Sequence, residues 1–225
     1  MTFGSDMPAV APDSPGHTPS LESALADLIA SRIAHEVVGP VGAISNGLEL
    51  MEELGADAGE DALKLVADSA RQAAARLQFY RMAYGRSGFE VTNMAQLRAA
   101  ATAFFDDAPH HDLSWPLPPV LPTLGDGAGR ILLILTELAK ECLVRGGTIR
   151  VTVSDSTVEV AADGKDSHME AALADAIAGR TATADLSPRS VHGALAGIFA
   201  RDIGYVIAVK EQGRTVTLSL SRGDG

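Results

Sequence analysis

"SRIAHEVVGPVG", residues 31–42, sets a histidine beside a glutamate and follows them closely with two glycines and a proline. The stretch lies inside a longer apolar series, Leu21, Leu25, Leu28, Ile33, Val37, Val41, Ile44, Leu48 and Met51, spaced mostly by three and four. That spacing marks one face of an α-helix, and the glycines and proline do not interrupt it. A single helix is therefore expected from about Ser20 to about Leu54. On it His35 falls about 180° from Ile44, at about 100° per residue, so its ring is expected to face solvent. Gly39 and Gly42 follow on the same side. Pro40 lacks an N–H, so the Glu36 carbonyl is expected to lose its intrahelical donor and the helix to bend locally. In an isolated helix such residues cost about 1 kcal/mol per glycine and about 3 for an interior proline. Stability alone does not select them. An exposed imidazole on a cleared helical face has the chemistry of a phosphoryl acceptor: largely neutral near pH 7, nucleophilic at a ring nitrogen and open to another protein's active site.

A second helix follows the turn "GADAGED", where Asp57 and Glu60 have capping-box spacing. Its stripe is Leu63, Val66, Ala70, Ala73, Leu77, Tyr80 and Tyr84, and Gly85 and Gly88 are expected to end it. Two helices of this length form a hairpin that buries one stripe of each but encloses no core. The sequence holds no second hairpin, so another copy of the chain is the natural supplier. This predicts a homodimer with a four-helix bundle at its centre.

Residues 92–225 change character. "NMAQLRAAATAFFDD" and "DGAGRILLILTELAKECLVRGG" read as helices, while "TIRVTVS", "TVEVAA", "YVIAVKE" and "RTVTLSLS" read as strands, paired through the turns "DS" and "QGR". "SPRSVHGALAGIFARDIG" is expected to be a helix with Ser187 as N-cap and Pro188 at its first position. Interleaved helices and strands predict an α/β sandwich. The expected organisation is α+β: a mobile tail over 1–20, the hairpin over 21–87 and the sandwich over 88–225.

Composition narrows the function. The 225 residues are 46% hydrophobic and 4% aromatic, enough for two modest domains packed with aliphatic side chains. A net charge of −11 leaves no basic stripe to displace counterions, which excludes a nucleic-acid binder. With one cysteine, no charged leader before an apolar run and no apolar stretch of about 18 residues, a cytoplasmic protein with no membrane contact is expected.

"AHEVVGPV" (34–41) resembles the histidine box of two-component histidine kinases, with His35 in the phospho-acceptor position, Glu36 directly after it and Pro40 five positions on. The sandwich resembles the kinase ATP-binding domain in degenerate form. Glu141 occupies the place of the metal-holding asparagine, Ala162 that of the adenine-reading aspartate and Asp166 that of a glycine; "VHGALAGIFARDIG" replaces the lid. Over nearly its whole length after residue 20 the chain is similar to the ChpT-type histidine phosphotransferases of alphaproteobacteria, which keep the two-domain dimer and have lost ATP binding. The resemblance implies a relay. His35 takes a phosphoryl group from the receiver domain of a hybrid histidine kinase, through Nε2 in the family, and response regulators receive it. No cofactor is implied for this chain, since the receiver supplies Mg²⁺.

The docking surface around His35 is read as Arg32, Gly39, Gly42 and Asn46. Glu36 is read either as orienting the imidazole or as a solvated charge, since helical neighbours diverge by about 100°. Asp106, Asp107, His110, His111 and Asp112 are expected to form a polar loop without metal-site spacing. Cys142 is expected in the core and His192 on the surface at a helix start. Two other functions stay open. An active kinase would bind nucleotide, and a structural dimerisation module would take no phosphoryl group.

Overall fold

The computed structural model describes residues 20–55, 59–85, 93–117, 125–154 and 157–223. The expected tail, the Asp57 end of the capping box, Gly88 and the "DS" turn lie outside them. Helix α1 (Leu21–Leu54) begins at Ser20, whose hydroxyl accepts from the Ser23 amide at 3.2 Å, and runs without a break through Pro40. Helix α2 (Gly59–Tyr84) returns alongside it and ends one residue before Gly85. The pair form the expected hairpin.

The rest is a two-layer α/β sandwich built from α3 (Met94–Phe105), β1 (His111–Ser114), α4 (Ala128–Glu141), β2 (Gly147–Val153), β3 (Thr157–Asp163), α5 (Ala171–Ile177), a 3-10 turn (Thr183–Asp185), α6 (Val191–Asp202), β4 (Tyr205–Gln212) and β5 (Thr215–Arg222). The sheet order is β1-β2-β3-β5-β4, with β1 parallel to β2 and the other neighbours antiparallel. Register follows the alternation of apolar residues: Ile149, Ala162 and Val216 form one cross-strand row, and Val151, Val160 and Leu218 the next. All six are buried, as a sheet with one covered face requires. Helix α4 covers that face and is itself covered by α2, α3 and α6. Its run Ile131 to Leu135 is therefore buried on every side.

Hairpin and sandwich share a core. Phe79 of α2 stacks on Phe104 of α3 with ring centroids 4.1 Å apart, and Leu25 near the start of α1 packs with Val191, Ala194 and Leu195 of α6.

Two sequence expectations are corrected here. Helix α6 is capped by Ser190, not Ser187, because Pro188 and Arg189 form a turn in which the Ser187 carbonyl accepts from the amides of Ser190 and Val191. Residues 106–112 are not wholly a loop. His111 and Asp112 open β1, where four residues suffice because β2 alongside supplies a parallel partner.

Candidate functional site

His35 is exposed on α1, with Gly39, Gly42 and Asn46 exposed on the turns beyond it. A Cβ added at Gly39 or Gly42 would meet no atom within 4 Å among the described residues, so neither glycine serves packing among them. Gly47 is the opposite case. A Cβ there would come within 2.6 Å of Val66 Cγ2 and 3.5 Å of the Ala62 carbonyl oxygen, so the bare backbone lets α2 approach. Gly39→Ala and Gly42→Ala are each expected to raise stability by about 0.5–1 kcal/mol, and Gly47→Ala to lower it. Thermal melting of the three variants checks both directions.

Pro40 is buried against the hairpin. The Glu36 carbonyl that it leaves without an intrahelical donor accepts instead from Arg76 Nη1 of α2, at 2.5 Å. The Glu36 carboxylate turns the same way, with Oε2 3.5 Å from that nitrogen.

Arg32 corrects the sequence reading. One turn before His35 it points inward at 8% exposure, where Nε donates to Glu137 Oε1 at 2.9 Å, Nη2 to Glu141 Oε1 at 2.7 Å and Nη1 to the Pro188 carbonyl at 3.2 Å. A guanidinium buried among two carboxylates is held by charge rather than offered to a partner. Burial alone would favour the neutral form, but Glu137 and Glu141 outweigh it and raise the Arg32 pKa above its ordinary value. Tyr84 Oη also donates to Glu137, at 2.5 Å, and Tyr80 Oη lies 3.5 Å from the same carboxylate. Burial and then the Glu137 charge push both phenols upward, so they remain donors. One carboxylate of α4 thus gathers groups from both helices of the hairpin.

Between α1 and the sandwich this network leaves an open cleft of about 380 Å³, lined by Arg32, His35, Glu36, Glu141, His168 and Arg189 among others. The sequence does not reveal that His35 borders a cleft, because its other walls come from residues more than a hundred positions away.

His192 is also corrected. It is fully buried, and neither ring nitrogen has a hydrogen-bond partner among the described residues. The first turn of α6 faces the interior, where Gly193 lets Leu173 of α5 come close. Burial, reinforced by the Arg32 charge, lowers the His192 pKa to about 3. Cys142 lies in the core as expected, its thiol pushed up to about 12 by burial. His111 Nε2 lies 3.2 Å from the Leu143 carbonyl, and burial lowers its pKa.

The family model for the histidine phosphotransferase C-terminal domain matches residues 94–215, from α3 to the start of β5. The chain belongs to the histidine phosphotransferase family. Protein phosphotransferase ChpT of Brucella abortus (strain 2308) is 38% identical over 138 residues, a match spanning 60% of this chain and 63% of that one. A solved structure of a bacterial phosphotransferase superposes with a TM-score of 0.74 at 29% identity, covering 92% of this chain and 99% of the other. This phosphotransferase-family chain thus has a structural counterpart for its hairpin as well as its sandwich.

Proposed function

We propose that this chain is the histidine phosphotransferase of a bacterial phosphorelay, with His35 as the phosphoryl carrier. The observation that carries the reading is the exposed His35 ring on a helix face left open by Gly39 and Gly42, in a chain of this family. A receiver domain bearing an aspartyl phosphate, such as that of a hybrid histidine kinase, docks over Gly39, Gly42 and Asn46. A ring nitrogen of His35 attacks phosphorus in line; the N–P bond forms as the P–O bond to the aspartyl carboxylate breaks, and that carboxylate leaves with the electron pair. Attack by the aspartate of a response regulator then removes the group from His35. Positioning supplies most of the acceleration, and the receiver brings its own Mg²⁺ and lysine, so the chain itself needs no cofactor. The reaction belongs in the cytoplasm with its receivers; among the described residues no helix is long and apolar enough to cross a membrane.

Two positions speak against an ATP-dependent kinase. Glu141, where the kinase resemblance puts a metal-holding asparagine, is engaged by Arg32. Ala162, in place of the adenine-reading aspartate, is wholly buried on β3.

The reading includes a homodimer. Ala34, Val38, Val41, Ser45 and Leu48 on α1, and Leu63, Ala67, Ala70, Ala74 and Leu77 on α2, are all exposed at alternating spacings of three and four. Such seams are what a second hairpin buries in a four-helix bundle. Incubating the chain with one phosphorylated receiver and then with an unphosphorylated second one tests the relay: label should appear on the chain and pass onward. Light scattering should give a dimer for the unsubstituted chain and a monomer for Leu63→Glu/Leu77→Glu. A chain that takes no label and is monomeric would refute both parts.

A further inference from the structure

Arg76 joins three elements at the residue next to His35. From α2, its Nη1 donates to the Glu36 carbonyl at 2.5 Å and lies 3.5 Å from Glu36 Oε2, while Nη2 lies 3.6 Å from Asp107 Oδ2 beyond α3. Asp107 is held a second time by α2, accepting from Gln72 Nε2 at 2.6 Å. The carbonyl is available only because Pro40 brings no N–H to it. A proline inside a helix is ordinarily a point of bending, yet here the bond it removes is replaced from the neighbouring helix. Arg76 is 23% exposed at its side chain and Glu36 26%, so the contact is partly shielded from water.

We propose that Arg76 is a positioning residue for phosphoryl acceptance, holding the backbone of the His35 turn through the carbonyl that Pro40 frees and keeping the Glu36 carboxylate turned to α2. The proposal rests on His35 being the acceptor. In-line attack depends on placing a ring nitrogen opposite the leaving oxygen, and small displacements of the reacting group cost large factors in rate. A pin one residue from the nucleophile acts on that placement without touching the receiver.

The test is single-turnover transfer from a phosphorylated receiver at varied receiver concentration, separating maximal rate from half-saturation. Arg76→Met is expected to lower the maximal rate about 10- to 100-fold and to move half-saturation less than about twofold. Pro40→Ala restores the intrahelical N–H, so in that background Arg76→Met is expected to cost less than about twofold in rate, although the ion pairs to Glu36 and Asp107 are lost there too. Loss of packing alone would cost the same in both backgrounds. An unchanged maximal rate in Arg76→Met, or an equal loss with and without Pro40, would overturn the inference while leaving His35 as acceptor. A lack of label on the unsubstituted chain would remove both. If Arg76→Met fails to fold, Arg76→Lys takes its place in the same cycle, with a smaller loss that Pro40→Ala again removes.

Discussion

Replacing Glu137 with alanine is expected to destabilise the protein by about 3–5 kcal/mol, the usual cost of removing one partner from a buried ion pair. The side chain is almost wholly buried and accepts from Arg32 and Tyr84, with Tyr80 beside it. Alanine would leave the Arg32 guanidinium with Glu141 as its one carboxylate, beside the Pro188 carbonyl, and strand the Tyr84 hydroxyl beside an empty space. For a chain of this length the melting temperature should fall by about 6–20 °C. Glu137→Gln, which keeps an acceptor but not the charge, should lose less. Arg32→Met/Glu137→Met should recover part of the loss, because apolar side chains can replace a buried pair without leaving a stranded charge. By contrast, the exposed Arg71 and Asp68 pair should contribute less than about 0.5 kcal/mol. Denaturant melts of these variants decide the matter, and a Glu137→Ala protein as stable as the unsubstituted one would mean that hairpin and sandwich are held by apolar packing alone.

The second large effect is acid sensitivity from His192. Its pKa in the folded chain is about 3, against about 6.5 in an unfolded one. As pH falls below about 6.5 the unfolded chain binds a proton that the folded chain does not, so stability is lost on acidification, by up to about 1.4 kcal/mol per unit of pH. The contribution is complete above about 6.5 and declines towards about 3. His192→Leu removes the titration and two ring nitrogens that have no partner among the described residues. It should therefore flatten the profile between pH 6.5 and 5, above the range where most carboxylates titrate, and leave stability at pH 7 equal or higher. Urea midpoints at pH 7, 6 and 5 give the comparison. Parallel profiles for the two proteins would show that His192 takes up its proton in the folded state.

Periodicity and chemistry carried the reading of α1. The apolar spacing gave the helix its span, and the same wheel sent His35, Gly39 and Gly42 outward, where all three stand. The alternating strands likewise declared themselves, because a half-covered sheet writes its two faces into every second residue. Arg32 did not. An arginine on the polar side of an amphipathic helix reads as solvated, and its partners Glu137 and Glu141 lie in another element with no local pattern linking them to it. His192 misled for the same reason, since a polar residue in the first turn of a helix carries no mark of which way that turn faces. Strand β1 and helix α5, four and seven residues long, are too short for a period to show. Arg76 was missed although its signal was half visible: Pro40 announced an unpaired carbonyl, but nothing near it in sequence named the donor.

The measurement that tests the central claim most directly is the position of the phosphoryl group. The chain is incubated with a receiver carrying labelled aspartyl phosphate, and the label is followed in the unsubstituted protein and in His35→Ala. An exposed side chain contributes little to packing, so the variant should keep its circular dichroism and melting temperature. Acid-labile, alkali-stable label is expected on the unsubstituted chain, in the peptide that contains His35, and none on the variant. Equal label on His35→Ala, or label that survives acid, would contradict the account.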